Sequence, residues 1–336
     1  MKRLAGGVGL AGALSLVSAT AAAPAPPPSL IRCEASRLSM GCVYGIVAYG
    51  PDAVLLPPVV EAALDEVDRI DRLMSHYKTE SPLSVLNRTA ASGPAPVEPE
   101  LLDFIALCLD YSRDSDGSFD VTVGPLMKAW GFFRGEGRIP GDQEIAELRN
   151  RVGYRHVIVD PKARTIRFDR EGVELDLGGI AKGYAVDRAV SVLEKGGIRS
   201  ALVSAGGSTI YALGAPPGRG GWEVSLRDPI DSHRIARRVR LKNRALSISG
   251  TAEKSFEQGG VTYSHIMDPR TGRPVQGVLS VAVLTATGTA GDALDDAFFV
   301  LGPSRTREHL GRLKNTEALF FLPEPQGRWR LVRVRG

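Results

Sequence analysis

The stretch Asp176–Tyr184 reads Asp-Leu-Gly-Gly-Ile-Ala-Lys-Gly-Tyr and marks a point where a short strand turns into a helix. The two glycines leave backbone N–H groups bare at the start of that helix, where those groups and the helix dipole attract an anion such as phosphate. Lys182, one turn into the helix, adds a cation. A glycine pair also serves any tight turn, so the pattern alone leaves a phosphate site and a simple turn both open.

Outward from this stretch, helices and strands are mixed without strict alternation. Apolar residues at helical spacing and glycine or proline at the ends predict helices over 58–75, 99–115, 143–149, 179–195 and 292–301. Strands are predicted over 38–49, 156–160, 165–169, 173–176, 201–204, 222–226, 237–241, 245–249, 279–285, 318–322 and 329–334. This order favours an α+β fold with a largely antiparallel sheet and flanking helices.

Composition and charge exclude several classes of protein. The 336 residues are 43% hydrophobic and 24% charged, which is typical of a globular protein and argues against long disorder. The net charge of +4 is mild, and the one basic cluster, over 234–244, is interpreted as the solvated face of an edge strand. A nucleic-acid surface would need aromatic residues between those charges, and there are none.

The first residues are typical of a signal peptide over 1–23. Lys2 and Arg3 precede a short apolar stretch over 4–17, and small residues follow up to Ala23. No cysteine follows the apolar stretch as a lipid anchor would require, so we expect an exported, soluble, periplasmic domain over 24–336. Cys33 and Cys42 either form a disulfide there or stay free thiols, and Cys108 fits no zinc spacing with them.

An acidic stretch offers a candidate metal site. Asp292 and Asp296 are four residues apart on a predicted helix and share one face, with Asp295 beside them. Carboxylate oxygens are the ligands that Mg²⁺ prefers, together with water or substrate phosphate. The alternative is that Asp292 caps the helix and that the other two carboxylates complement its dipole.

His265 lies between a strand and a Pro-Arg-Thr-Gly turn, near Asp268 and Arg270. A lone histidine is more often structural than catalytic. Its charged neighbours favour a polar site instead, where neutral imidazole can accept a proton near neutral pH.

Taken together, the motifs resemble the ApbE family, the FAD:protein FMN transferases. The resemblance covers about residues 38 to 302 in the family order. It rests on Gly117–Asp120 with Val123–Leu126, the run Asp176–Asp187, His265–Pro269 with Thr271–Gly272, and Asp292–Leu294.

The resemblance implies a single-domain, T-fold-related α+β structure with FAD in a cleft and Mg²⁺ on its pyrophosphate. The FAD-binding residues that it implies are Met40, Tyr77, Ser118, Phe119, Asp120, Asp176, Lys182 and Ile266. The metal ligands that it implies are the backbone carbonyl of Gly179 and the side chains of Asp292 and Asp296, with Asp295 as a further ligand or a neighbour of the site.

The resemblance further implies the reaction. The FMN moiety of FAD passes to a Thr or Ser hydroxyl of an acceptor protein, expected to be a membrane-associated redox protein, and AMP leaves. A base near the phosphorus is required, for which His265 and Asp292 are the candidates, with His265 ahead.

Four positions depart from the family pattern. Asp296 stands where the family usually has threonine, Cys42 replaces another threonine, Ser208 replaces an acidic or amide residue, and 248–250 reads Ile-Ser-Gly for Thr-Ser-Gly. Two other functions therefore stay open. One is Mg²⁺-dependent hydrolysis of FAD to FMN and AMP, and the other is a non-catalytic exported flavin carrier.

Overall fold

The computed structural model describes residues 30–133, 135–252 and 254–336. The predicted signal peptide over 1–23 lies outside the described residues. Within the described ranges, no helix combines the length and apolar character needed to cross a bilayer.

The described residues form helices, mostly amphipathic, and strands of very different length. The α-helices are α1 Leu56–Met74, α2 Pro82–Thr89, α3 Pro99–Asp114, α4 Gly124–Ala129, α5 Asp142–Arg149, α6 Ala181–Lys195 and α7 Gly288–Leu310, with a 3₁₀ turn at Tyr154–His156. The strands are β1 Ile31–Ser39, β2 Cys42–Gly50, β3 Ala95–Pro96, β4 Val157–Asp160, β5 Thr165–Phe168, β6 Ser200–Ala205, β7 Thr209–Leu213, β8 Trp222–Arg227, β9 Ile235–Leu241, β10 Arg244–Gly250, β11 Ser255–Gln258, β12 Val261–Ser264, β13 Met267–Asp268, β14 Arg273–Pro274, β15 Ser280–Thr285, β16 Glu317–Glu324 and β17 Arg328–Arg335.

An eight-stranded sheet organises the fold. Its order is β1-β2-β6-β7-β10-β15-β16-β17, and every neighbouring pair is antiparallel. Successive side chains of a strand point to opposite faces of the sheet. Phe320 therefore lies in the core shared with the helices, and Phe321 lies in a second core under the β8–β9 ribbon. The sheet therefore lies between helices on one face and a two-stranded ribbon on the other, as the predicted α+β class requires.

Helix α1 packs on the helical side of the sheet through its predicted apolar stripe. Val60, Leu64, Val67, Ile70 and Met74 are all buried. A proline in the first turn suits the helix start, where the missing N–H costs nothing. The prediction of this helix is confirmed.

Two predicted strands differ from the structure. The strand over 38–49 is in fact a hairpin, because Met40 and Gly41 both have positive φ and reverse the chain between β1 and β2. The segment 173–176 is extended but forms no ladder, since the Asn87 side chain takes the place of a partner strand by bonding both backbone groups of Leu175 at 2.9 Å.

Helix α7 begins four residues before the predicted start at Asp292. Thr287 caps it by accepting from the Ala290 N–H at 3.2 Å. The interpretation of Asp292 as the helix cap is therefore wrong, and its carboxylate lies one turn inside the helix. Gly302, with φ of 69°, and Pro303 kink the helix where the prediction ended it.

Of the two alternatives left open for Cys33 and Cys42, the structure has free thiols. In the β1–β2 hairpin, Cys33 is opposite Ala48 and Cys42 is opposite Ser39. At about 3.3 Å per residue along a strand, the two thiols lie far beyond the reach of a disulfide. The basic cluster lies on β9 and its flanks, with Arg238 and Arg240 exposed.

Candidate active site

The starts of α6 and α7 lie against each other. The Gly183 N–H donates to Asp292 Oδ2 at 2.6 Å. In the other direction, Asp187 accepts from the Gly288 N–H at 2.6 Å and the Thr289 N–H at 2.8 Å. A Cβ on Gly183 would collide with the Gly288 carbonyl, so only glycine permits this approach.

The glycine turn before α6 lies beside the acidic face of α7. Asp176 Oδ1 accepts from the Gly178 N–H at 2.9 Å and so holds the turn. A Cβ added to Gly179 would lie 2.6 Å from Asp296 Oδ2. The glycine therefore lets a carboxylate approach the backbone, and the two segments on which the candidate metal site depends come together.

Asp292 is buried and held by donors from three elements. Its Oδ1 accepts from the hydroxyls of Thr209 on β7 and Ser247 on β10, the second at 2.6 Å, and its Oδ2 accepts from Gly183. One lone pair of Oδ2 remains for a further partner. These bonds fix the orientation of the carboxylate, and its roles as metal ligand and as base stay predictions.

Asp295 and Asp296 share one hydroxyl. Ser249 Oγ lies 3.0 Å from Asp295 Oδ1 and 2.6 Å from Asp296 Oδ1. Burial, followed by the charges of Asp296 and Asp292, raises the pKa of Asp295 well above its ordinary value. Carboxylates this close together repel one another, and a cation bound between them would relieve that repulsion.

The residues present fit a magnesium site that is completed by its substrate. Within the described ranges, no group of three or more His, Cys, Asp or Glu side chains forms a metal cage. Magnesium does not require one, because it is usually held by one or two carboxylates and substrate phosphates. Asp292 and Asp296 supply oxygen donors of that kind, and Asp296 lies close to the backbone of Gly179.

Lys182 and Met40 border the same region. Lys182 Nζ donates to Ser208 Oγ at 2.8 Å, and its charge lowers the pKa of Asp295. Met40 lies in the β1–β2 turn, where its sulfur accepts from the buried Tyr44 hydroxyl at 3.1 Å. The residue after that turn, Cys42, packs against the glycines that lead to Ser208, since a Cβ on Gly206 would lie 2.9 Å from the Cys42 Cβ.

His265 is oriented as a proton acceptor. Its Nδ1 lies 3.2 Å from the Lys254 carbonyl, which can only accept, so Nε2 carries the free lone pair. Burial lowers the pKa of His265 to about 4, although the hydrogen bond with the Lys254 carbonyl opposes this shift. The imidazole is therefore neutral at physiological pH.

The loop with Ser118, Phe119 and Asp120 is bonded mostly to itself. The Ser118 hydroxyl donates to the Ser115 carbonyl at 2.8 Å. Asp120 accepts from the Thr122 N–H and hydroxyl and from the Tyr154 N–H, and burial raises its pKa. Phe119 lies near Gly179, 3.6 Å from a Cβ placed there. The loop reaches the glycine turn through Phe119.

Tyr77 and Ile266 differ in exposure. Tyr77 is 56% exposed and stacks on Phe133, with ring centroids 4.7 Å apart. Ile266 is buried in the main core. Tyr77 therefore offers a ring to a ligand, whereas Ile266 offers mainly backbone and packing.

Sequence reasoning missed the hydroxyls that hold the acidic cluster. Thr209 and Ser247 occupy buried strand positions, where a polar side chain is unusual, and that pattern is the signal that was available. It also missed His76, whose Nδ1 lies 3.2 Å from Asp176 Oδ1. The polar, aromatic turn over 75–77 that contains it was the available signal.

A helix start that lies against crowded carboxylates, with a lysine and a neutral histidine nearby, is typical of an enzyme site for a phosphate-bearing ligand. The ApbE family model matches residues 40–320. The FAD:protein FMN transferase of Escherichia coli K12 is 30% identical over 284 residues, which cover 82% of this chain and 80% of that protein. The FAD:protein FMN transferase of Treponema pallidum is 32% identical over 288 residues, covering 80% and 79%.

Solved structures agree with these relatives. The crystal structure of the ApbE protein from Thermotoga maritima matches with a TM-score of 0.81 at 30% identity, over 90% of this chain and 97% of that one. The flavin transferase ApbE from Vibrio cholerae matches with a TM-score of 0.78 at 28% identity, over 91% and 98%. This chain belongs to the ApbE family, and the predicted α+β fold class is confirmed.

Proposed function

We propose that this protein is an FAD:protein FMN transferase that moves FMN from FAD to a Thr or Ser hydroxyl of an acceptor protein. The observation that carries the proposal is the meeting of the glycine turn with the acidic start of α7. Gly183 bonds Asp292 at 2.6 Å, and Gly179 lies open toward Asp296. Family membership and the named activity of the relatives support the same reaction.

The pyrophosphate of FAD binds where positive character is concentrated. The Lys182 ammonium and the positive end of the α6 helix dipole attract its oxygens. The ligands for Mg²⁺ are Asp292, Asp296 and the Gly179 carbonyl, with Asp295 beside them. Magnesium bound there supplies positive charge to the pyrophosphate oxygens, which is the main catalytic need in phosphoryl transfer.

The transfer reaction needs no reactant other than FAD and the acceptor protein. The acceptor hydroxyl oxygen bonds to the phosphorus on the flavin side, and the bond from that phosphorus to the bridging oxygen breaks. AMP leaves with the bridging oxygen, and the product is a phosphoester. The hydroxyl proton goes to His265 Nε2, which is free because Nδ1 is held by the Lys254 carbonyl.

The remaining FAD contacts follow from family membership. Met40 and Tyr77 border the flavin or adenine ring, and the loop 118–120, Asp176 and Ile266 line the cleft. The sequence of residues 1–23 supports export to the periplasm and one domain over 24–336. A membrane-associated redox protein fits an enzyme at that location as the acceptor.

The test incubates the purified protein with FAD, MgCl₂ and a flavin-acceptor domain. Intact-mass spectrometry of the acceptor and chromatography of the free flavins are read together. We expect the acceptor to gain the mass of one FMN and an equal amount of AMP to appear. Release of free FMN without labelled acceptor would make the protein a hydrolase, and recovery of intact FAD would make it a carrier; either result contradicts the proposal.

A matched pair of variants ties the activity to this site. Asp296→Asn removes the charge beside Gly179 and is expected to lower transfer more than tenfold at limiting MgCl₂. Asp103→Asn makes the same change at an exposed position of α3 and is expected to leave transfer unchanged. Equal rates for the two variants would separate the reaction from the acidic cluster.

A further inference from the structure

His76 contacts the residue that holds the glycine turn. Its Nδ1 lies 3.2 Å from Asp176 Oδ1, the same oxygen that accepts from the Gly178 N–H. One carboxylate oxygen therefore contacts both the histidine ring and the glycine turn. A shift of the His76 ring would therefore move the turn.

The ring of His76 also supports the exposed aromatic pair. Its centroid lies 4.0 Å from that of Tyr77 and 5.4 Å from that of Phe133. Tyr77 and Phe133 are nearly parallel, at 19°. The three rings form an aromatic shelf, which we define as His76, Tyr77 and Phe133, at the rim of the site. A planar ring such as the flavin can stack on a surface of this kind.

The environment of the other ring nitrogen, Nε2, bears on why this position holds an imidazole and not a phenyl ring. The side chain is only 8% exposed, and Nε2 has no hydrogen-bond partner among the described residues. His76 lines a cavity of about 340 Å³, together with polar residues such as Thr79 and Arg88 and apolar residues such as Val173. A buried polar atom without a partner destabilises the fold, and a phenyl ring of similar shape would avoid that cost. The close contact of Nδ1 with the Asp176 carboxylate is the compensating gain.

We propose that His76 is a positioning residue of the FAD cleft, which links the aromatic shelf to the turn that receives the pyrophosphate. This inference rests on the proposed function for the identity of the ligand. Through Nδ1 the residue sets the orientation of Asp176 and of the backbone at Gly178 and Gly179. Through its ring it keeps Tyr77 in a stacking position. The two roles belong to different atoms and can be separated.

Two substitutions separate the role of Nδ1 from the role of the ring. His76→Asn places an amide nitrogen near the position of Nδ1 and keeps the contact with Asp176, but it removes the ring. His76→Phe keeps the ring and removes the polar contact with Asp176, and it also removes the unpartnered nitrogen, so it should not lower Tm. His233→Phe makes the same change at an exposed histidine and serves as the control.

The readouts are the Kd for FAD from flavin fluorescence and kcat for FMN transfer. For His76→Phe we expect kcat to fall about tenfold to a hundredfold, the loss of one polar contact with a charged group, with Kd within threefold of the wild-type value. For His76→Asn we expect Kd to rise about threefold to tenfold with kcat nearly unchanged. His233→Phe should change neither quantity.

The opposite outcomes are equally clear. Wild-type values of Kd and kcat in both variants would overturn the proposal. A parallel loss of Tm, Kd and kcat in both variants would overturn it too, because it would mark a purely structural residue. If the wild-type protein binds FAD but transfers no FMN, the proposed function fails, while the Kd of His76→Asn still tests the shelf.

Discussion

Replacing Asp187 with alanine should both destabilise the protein and disturb its site. Asp187 accepts from the Gly288 N–H at 2.6 Å, the Thr289 N–H at 2.8 Å and the Thr289 hydroxyl at 2.6 Å. All three donors are in the first turn of α7, and both of those residues are buried. This carboxylate therefore caps α7 from the side of α6.

The loss in free energy of unfolding is estimated from the donor groups that lose their acceptor in Asp187→Ala. Two buried N–H groups left without an acceptor cost about 1 to 2 kcal/mol each, and the lost interaction of the charge with the helix dipole adds about 0.5 to 1 kcal/mol. The Thr289 hydroxyl can rotate toward another acceptor. We expect Asp187→Ala to lower the free energy of unfolding by about 3 to 4 kcal/mol, and Asp187→Asn to lower it by less because its amide oxygen can still accept.

The assay is urea unfolding followed by circular dichroism, with Asp103→Ala as the matched control. Asp103 is exposed on α3, and its loss should change the free energy of unfolding by less than about 0.5 kcal/mol. FMN transfer should fall further in Asp187→Ala than in the control, since Asp292 follows the capped turn by one turn of helix. An unfolding free energy within about 0.5 kcal/mol of the wild-type value would refute this reasoning.

Three further predictions concern Gly183 and His265. Gly183→Ala should unfold at clearly lower urea than wild type, because its Cβ would collide with the Gly288 carbonyl, whereas Gly220→Ala, with no atom near its Cβ, should not. The lowered pKa of His265, about 4, predicts that kcat rises with pH through about 4 and then stays level up to neutral pH; a limb near the ordinary histidine pKa of about 6.5 would contradict this. His265→Gln should abolish the pH-dependent part while leaving the Kd for FAD close to the wild-type value.

The same lowered pKa fixes the sign of one contribution to stability. Between pH 4 and about 6.5 the unfolded chain binds a proton at His265 that the folded chain does not. The contribution of His265 to the free energy of unfolding therefore rises with pH across this window and is complete above it. Its loss in His265→Gln can be measured by urea unfolding at the two ends of the window.

Much of the fold could be predicted from local periodicity. The stripe from Val60 to Met74 has helical spacing and is buried as expected. The hairpin at Met40 was missed because a non-glycine residue with positive φ gives no composition signal. The segment 173–176 was predicted as a strand because it has strand composition, but its partner is one side chain, Asn87, from a distant part of the chain.

The charged residues of the site could be predicted from the sequence, but the hydroxyl residues that hydrogen-bond to them could not. Asp292, Asp296 and Gly179 lie in short motifs, and the structure brings them together. Thr209, Ser247 and Ser249 come from strands that are neighbours only in the sheet, so no local pattern relates them to α7. Contacts of this kind depend on topology, which local sequence does not encode.

The central claim is that the glycine turn and the acidic start of α7 hold a divalent cation against the pyrophosphate of FAD. Phosphorus NMR of protein-bound FAD during titration with Mn²⁺, a paramagnetic substitute for Mg²⁺, tests it directly. We expect both phosphorus signals to broaden at about one equivalent of Mn²⁺ in the wild-type protein and to stay sharp in Asp292→Ala. Sharp signals in the wild-type protein with Mn²⁺ bound, or equal broadening in Asp292→Ala, would contradict the account.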